Sequence, residues 1–188
     1  MAKGETQKVV LGAGKWYVQP WESGVVDYKT LCTEDNLIGY TSGGATVTYT
    51  PETYTIEDDI GMVKKTFMTK GSAEMKTGLL TWNVKSVAAL LSTGTFTETA
   101  ATSSTNGENK LELHGGKESL KKLAVCFVYT DDETGLNTYV YEVSTNTAAL
   151  SLAFAKDKET TIDLTFTGES NGVDDTVLTI VEETAKTA

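Results

Sequence analysis

The 188-residue chain contains no arginine; all sixteen of its basic residues are lysines. Arginine's planar fork is the preferred bidentate partner of phosphate and guanine. A chain that lacks it and carries a net charge of −10 has neither the basic stripe nor the side chains of a nucleic-acid grip. Histidine occurs once and cysteine twice. Any Ser–His–Asp arrangement would have to be built on His114, which precedes Gly115-Gly116, and no GxSxG elbow is present. His114 therefore reads as a strand-end residue beside a turn. There is no CxxC and no histidine at zinc-site spacing, so Cys32 and Cys126 read as reduced thiols. Cys126 lies in the apolar run Leu-Ala-Val-Cys-Phe-Val-Tyr, where a free thiol behaves as a small hydrophobe. No stretch approaches the roughly 18 consecutive apolar residues of a membrane span. The opening Met-Ala-Lys-Gly-Glu-Thr-Gln-Lys lacks the apolar core of a signal peptide. Synthesis in a cytoplasm and no membrane partner are the resulting expectations.

Other chemistries fail on spacing. Leu11–Lys15 (Leu-Gly-Ala-Gly-Lys) has one residue between its glycines and Trp16 after the lysine, whereas a phosphate loop needs four residues there and a Ser or Thr next. The acidic groups Glu57-Asp58-Asp59, Asp131-Asp132-Glu133 and Asp174-Asp175 match no calcium loop and read as solvated turns. The tryptophans Trp16, Trp21 and Trp82 are scattered rather than clustered into a stacking platform. No catalytic residue, metal site or cofactor is expected, and the chain does not read as an enzyme.

What is abundant is threonine, with 32 residues. Together with Val, Ile, Tyr and Phe it gives the composition of half-buried pleated strands. Period-two alternation predicts strands at Lys15–Gln19, Ala45–Thr50, Thr53–Glu57, Val63–Met68 and Glu74–Thr81. Leu123, Val125, Phe127 and Tyr129 share one face, and after the turn Asp131–Gly135 the chain returns through Tyr139–Val143. Leu150, Leu152 and Phe154 alternate, as do Ile162, Leu164 and Phe166, and a last strand is predicted at Thr176–Val181. The C-terminal third thus reads as an antiparallel meander. Val84, Val87, Ala88 and Leu91 instead fit helical spacing, with Asn83 as N-cap and Gly94 as stop, which predicts one short flanking helix over Val84–Leu91. Thr97–Asn109 has no periodicity and reads as an exposed loop. The expected fold is mainly β, an antiparallel β-sandwich or small barrel in one domain spanning 1–188, with a flexible segment at Met1–Val10.

The order of these features resembles the major tail (tail tube) proteins of long-tailed phages of Gram-positive hosts. The likeness is carried by Leu-Gly-Ala-Gly-Lys-Trp-Tyr-Val (Leu11–Val18) and by Asn-Leu-Ile-Gly-Tyr-Thr-Ser-Gly-Gly-Ala-Thr-Val-Thr-Tyr-Thr (Asn36–Thr50). Gly-Leu-Leu-Thr-Trp-Asn before the helix and the stretch Leu152–Ser170 continue it. It covers about Gly12 to Glu183 and is weakest over Thr97–Asn109. The resemblance implies a β-sandwich whose copies close as hexameric rings stacked into a hollow tube, assembled in the host cytoplasm and retained in the virion tail. Its partners would be itself and other tail proteins, namely a tail initiator, a tape measure and a terminator. DNA would pass without specific binding. An assembly arm would lie within Thr41–Gly71, with Tyr49, Tyr54, Ile56, Met62 and Phe67 as its contact residues. Glu57, Asp58, Asp59, Glu74 and Asp163 are the acidic candidates, either lining the lumen or pairing with Lys64, Lys65 or Lys76 of neighbouring copies. Two alternatives stay open: the inner tube of a contractile tail or tail-like bacteriocin, and a β-sandwich carbohydrate- or cell-binding module.

Overall fold

Strand β1 (Lys15–Pro20) shows how alternation becomes architecture here. Trp16 and Val18 are buried on one side and Tyr17 on the other, so the strand has a core on each face. The computed structural model describes residues 13–185 apart from 92, 118, 153, 155, 157 and 158; the expected flexible segment Met1–Val10 lies outside them. After β1 come the one-turn helix α1 (Tyr28–Leu31) and the long strands β2 (Leu37–Glu57) and β3 (Lys64–Leu79). Helix α2 (Val84–Leu90) and the hairpin β4 (Thr95–Thr99) and β5 (Glu108–Glu112) follow. The chain closes with β6 (Leu123–Thr130), β7 (Asn137–Asn146), β8 (Ile162–Glu169) and β9 (Thr179–Glu182).

The main sheet is antiparallel and runs β6-β1-β2-β3-β8-β7, and β6 also pairs with β7. The mainly-β, sandwich-like fold therefore has layers that are one sheet curled until its ends meet, which leaves no open edge around the ring. Its interior holds Trp16, Met75, Leu79, Val125, Phe127, Ile162, Leu164 and Phe166. Trp16 sits 5.3 Å from the Phe127 ring and 5.5 Å from Phe166, joining β1 to β6 and across the core to β8. Burying a side chain of this size contributes about 1.5–3 kcal/mol relative to leaving it in water. Helix α2 adds Val87 and Leu90 to this core. Its start is fixed by a capping box in which the Ser86 N–H donates to Asn83 Oδ1 at 2.8 Å and the Asn83 N–H to Ser86 Oγ at 2.9 Å. A second, smaller core covers the outside of β1 and β6, where Tyr17, Ala124, Cys126 and Val128 pack under Leu31.

Several expected boundaries move. The two strand pairs expected at 45–57 and 63–81 are two continuous strands, because Pro51 and the bulge at Glu52/Thr53 interrupt the pattern without breaking the ladder. Along that stretch β2 has β3 on one side and no strand on the other, so a proline's missing N–H is tolerated. The expected loop Thr97–Asn109 is shorter at both ends: 100–107 is an exposed connection, while 97–99 and 108–109 belong to the β4–β5 hairpin, in which Phe96 opposes Leu111 and Thr99 opposes Glu108. No strand forms at Leu150, Leu152 and Phe154. Leu150 instead packs on the core while Phe154 is exposed, so the alternation serves burial at one end only. The last strand begins at Thr179 rather than Thr176, since Leu178 turns in to pack on the core. The helix stops at Leu90 with Leu91 as C-cap, before Gly94. Helix α1 was not expected from the apolar spacing, although its N-cap Asp27, accepting from the Lys29 N–H at 3.0 Å, is a readable signal.

Candidate assembly interface

Strands β2 and β3 begin as barrel staves and then leave the barrel together. β2 is paired with β1 only through Leu37–Tyr40, and β3 with β8 only through Glu74–Leu79. From Tyr49↔Ala73 to Glu57↔Lys64 the two strands pair with each other alone. These eight steps along the strand give a ribbon about 26 Å long at ~3.3 Å per residue. Both of its outer edges carry unpaired backbone groups among the described residues, which is a template for strand addition. An isolated two-stranded hairpin is marginally stable in water.

The faces of the ribbon follow from the register. Thr69 is the extra residue of the bulge, donating from its hydroxyl to Glu52 O at 3.1 Å, and it shifts β3 by one residue relative to β2. One face, continuing the barrel interior from Val47 and Met75, carries Tyr49, Thr53, Thr55, Glu57, Lys64, Thr66 and Met68. Along it Tyr49 Oη reaches Met68 Sδ at 3.4 Å, the Thr55 and Thr66 hydroxyls meet at 2.9 Å, and Lys64 pairs with Glu57 at 3.3 Å. The opposite face presents Tyr54, Ile56 and Phe67, with Lys65 Nζ 4.9 Å from the Phe67 ring centroid. The tip is a turn tied by Asp58, whose N–H donates to Val63 O at 3.1 Å and whose Oδ1 accepts from the Val63 N–H at 3.0 Å. Ile60 and Met62 stand out from it, 77% and 81% exposed.

The five apolar candidates thus share one element but not one surface. Tyr54, Ile56 and Phe67 form a patch on one face, Tyr49 lies on the other, and Met62 is at the tip. All five are exposed, with Tyr54 at 60%. Missed by sequence reasoning are Ile60, Val63 and Met68, equally exposed neighbours. Their signal was available, since apolar residues around a polar turn are unusual on a lone hairpin.

The acidic candidates divide into two groups at opposite ends of the ribbon. Glu57, Asp58 and Asp59 are at the tip. Glu74 lies at the root, facing outward beside Lys76, to which it pairs at 2.7 Å, and Asp163 is exposed on the adjoining β8. Two of the five, Glu57 and Glu74, therefore have a lysine partner within their own chain. These pairs are solvent-exposed and contribute about 0–1 kcal/mol each.

The root holds a further carboxyl group that sequence reasoning missed. Glu142 on β7 stands opposite Val125 and so faces into the barrel, where it is 3% exposed. Among the described residues neither of its oxygens has a hydrogen-bond partner, nor does the hydroxyl of Ser144 beside it. Burial raises its pKa to about 8, the nearby Ser144 hydroxyl opposes this, and the charge of Glu74 adds to it. A Cβ on Gly168 would lie 2.8 Å from Glu142 Oε2 and 2.9 Å from the Ala73 side chain. Glycine at 168 is what leaves room for this carboxyl where β3 departs from the barrel.

Elsewhere the chemistry is sparse. Among the described residues no group of three His, Cys, Asp or Glu side chains is placed to hold a metal ion. His114 is exposed, with its Nε2 3.1 Å from the Thr95 hydroxyl. No helix among the described residues is long and apolar enough to cross a membrane. No protein-family model and no curated protein matches the chain.

Proposed function

We propose that the chain is a structural protein that assembles with copies of itself into a hollow tube, the tail tube of a phage or phage-like particle, rather than an enzyme. The observation that carries this reading is the ribbon of β2 and β3. It leaves a closed barrel, exposes apolar residues on both faces and at its tip, and offers two unpaired edges. Such an element gains little from its own chain and much from a neighbour that covers a face or extends an edge. The barrel has no open edge around its ring, so it can remain folded before assembly. The net charge of −10 opposes association of free copies until an initiator overcomes it.

Head-to-tail contacts of one patch with a different patch close into rings and stay open along the axis, which is the symmetry of a tube. Six copies per ring, the tail initiator, tape measure and terminator as partners, and residence in the virion tail follow from the resemblance to tail tube proteins. An arginine-free, acidic lumen would conduct DNA because each phosphate held by a cation becomes a salt-sensitive sticking point. Sedimentation velocity across a wide concentration range, with electron microscopy of the concentrated protein, tests the reading. Monomer or small oligomer when dilute and tubes when concentrated or seeded is the expected result; a single stable dimer at every concentration would overturn it.

A further inference from the structure

Cys32 and Cys126 are 94 positions apart in the chain (126 − 32), yet Cys32 packs against the buried cluster that contains Cys126 on the outside of the barrel. Cys126 lies on β6 between Ala124 and Val128 on the face turned away from Trp16, and it is 0% exposed. The β1–β2 connection covers that face through Trp21, Val26, Leu31 and Cys32. Cys32 is the C-cap of α1, its N–H donating to Tyr28 O at 2.9 Å, and the adjacent Leu31 is 1% exposed and pins the turn onto β6. The Asn36 side chain holds the same turn by donating to Leu31 O at 3.0 Å.

The thiols are not equivalent. Interaction with the Cys126 thiol holds the Cys32 pKa below the usual thiol value, against the opposing effect of burial. Interaction with Cys32 and deep burial together hold the Cys126 thiol well above that value. Its sulfur also reaches Phe127 O at 3.7 Å. A half-buried cysteine with a favoured thiolate, backed by a fully buried one, has the arrangement of an attacking and a resolving thiol.

We infer that Cys32 and Cys126 form a dithiol–disulfide site whose co-substrate is a low-molecular-weight disulfide of the glutathione class. The Cys32 thiolate attacks one sulfur of that disulfide, breaking its S–S bond and releasing one thiolate, which takes up a proton. The Cys126 thiol then gives up its proton and attacks the Cys32 sulfur of the mixed disulfide, releasing the second thiol. The two protein thiols are oxidised, the small disulfide is reduced to two thiols, and no other oxidant is needed. The product staples the β1–β2 connection to β6 and closes a long loop, which restricts the unfolded chain most strongly when the loop is long. Resting on the tail-tube reading, a particle released from a reducing cell interior would acquire this bond outside it; the chemistry itself does not depend on assembly.

The test is to expose the dilute, folded protein to oxidised glutathione and read intact and peptide masses without reduction. The expected product is an internal Cys32–Cys126 disulfide, about 2 Da lighter than the dithiol, with Cys126→Ala stopping at a glutathione adduct on Cys32 about 305 Da heavier and Cys32→Ser remaining unmodified. The oxidised wild type should unfold on the order of 5–10 °C higher than the reduced form and return to the lower midpoint after dithiothreitol. Peptide mapping of the wild type needs no variant, so a poorly folding Cys126→Ala leaves the test intact. A wild-type chain that accumulates the Cys32 adduct, stays unmodified, or forms the bond only in denaturant would overturn the inference. Failure to form tubes would leave this result untouched and bears only on the assembly reading.

Discussion

Strand β3 belongs to two different environments within 16 residues. From Ala73 to Leu79 alternate side chains are buried, with Met75 and Leu79 fully enclosed; from Lys64 to Lys70 every residue is exposed. The hydrophobic pattern does not end where burial ends, since Phe67 and Met68 continue it into water. What changes is the neighbour: β8 flanks the first stretch, and no strand flanks the second. A β-strand is stabilised by its cross-strand and face contacts more than by its own propensity. The barrel therefore supplies its own partners, and on the proposed tail-tube reading the ribbon would take them from another chain.

The comparison breaks most readily with one residue type in both places. Phe166 is 0% exposed in the barrel and Phe67 is 41% exposed on the ribbon. Phe166→Ala should cost about 3–5 kcal/mol, lowering the thermal midpoint on the order of 10 °C. Phe67→Ala should change monomer stability by no more than about 0.5–1 kcal/mol, yet abolish or strongly weaken tube formation. Equal thermal losses from the two, read by differential scanning calorimetry, would mean that the ribbon is stabilised within the monomer.

The root of the ribbon gives a pH test. With its folded-state pKa at about 8, above the ordinary 4.5, Glu142 disfavours the folded state once the unfolded chain ionises. Stability linked to it is fully present below about pH 4.5 and is lost as pH rises to about 8, on the order of 4–5 kcal/mol at ~1.4 kcal/mol per pKa unit. Glu142→Gln should flatten thermal stability over that range. The opposite sign holds for Glu169, whose carboxyl Lys122 and Thr145 keep below its usual range, so its contribution is lost as pH falls through that depressed pKa. An unchanged slope in Glu142→Gln would place the pH sensitivity elsewhere.

Smaller effects separate the acidic candidates. Replacement by lysine at Glu74 or Asp163, or at Glu57 and Asp59, should leave tubes intact but slow DNA passage wherever the side chain lines the lumen, because each new cation adds a phosphate contact. Glu57 and Asp59 are at the ribbon's tip, whereas Glu74 is at its root and Asp163 lies on the barrel opposite Gly78, so ejection kinetics should respond to one group more than the other. Variants that fail to polymerise would assign those residues to subunit contacts. Asp58 is less suited to this test because it also ties the tip turn. Smallest of all, Glu57→Gln removes one exposed ion pair and should shift monomer stability by less than about 1 kcal/mol in a denaturant titration.

The sequence was most legible where local signals agreed. The hairpin from β6 to β7 has an alternating pattern on both sides of a turn in which Asp131 Oδ1 accepts from the N–H groups of Glu133 and Thr134, and Gly135 takes φ +68°. Helix α2 announced itself by Asn83 and its apolar spacing. The full length of β2 and β3 was obscured by Pro51 and the Glu52/Thr53 bulge, which look like breaks when the ladder is not visible. The β4–β5 hairpin has little apolar alternation to reveal it, with Phe96 and Leu111 its half-buried pair. Leu150, Leu152 and Phe154 showed the converse, an alternating pattern that pairs with no strand among the described residues. The candidate arm was legible as a region, while its two faces, set by a one-residue bulge, were not. Glu142 and the meeting of Cys32 with Cys126 depend on strand register and on contacts 94 positions apart (126 − 32), which no local pattern encodes.

The central claim is that the barrel is complete in one chain and the ribbon is complete only between chains. Amide hydrogen exchange of the dilute protein and of the concentrated assembly reads both regions at once. Amides of 49–57 and 64–72 should exchange rapidly in the dilute protein and become strongly protected in the assembly, while those of β1, β6 and β8 remain protected in both. Strong and equal protection of 49–57 and 64–72 in the dilute protein and at high concentration would contradict the account.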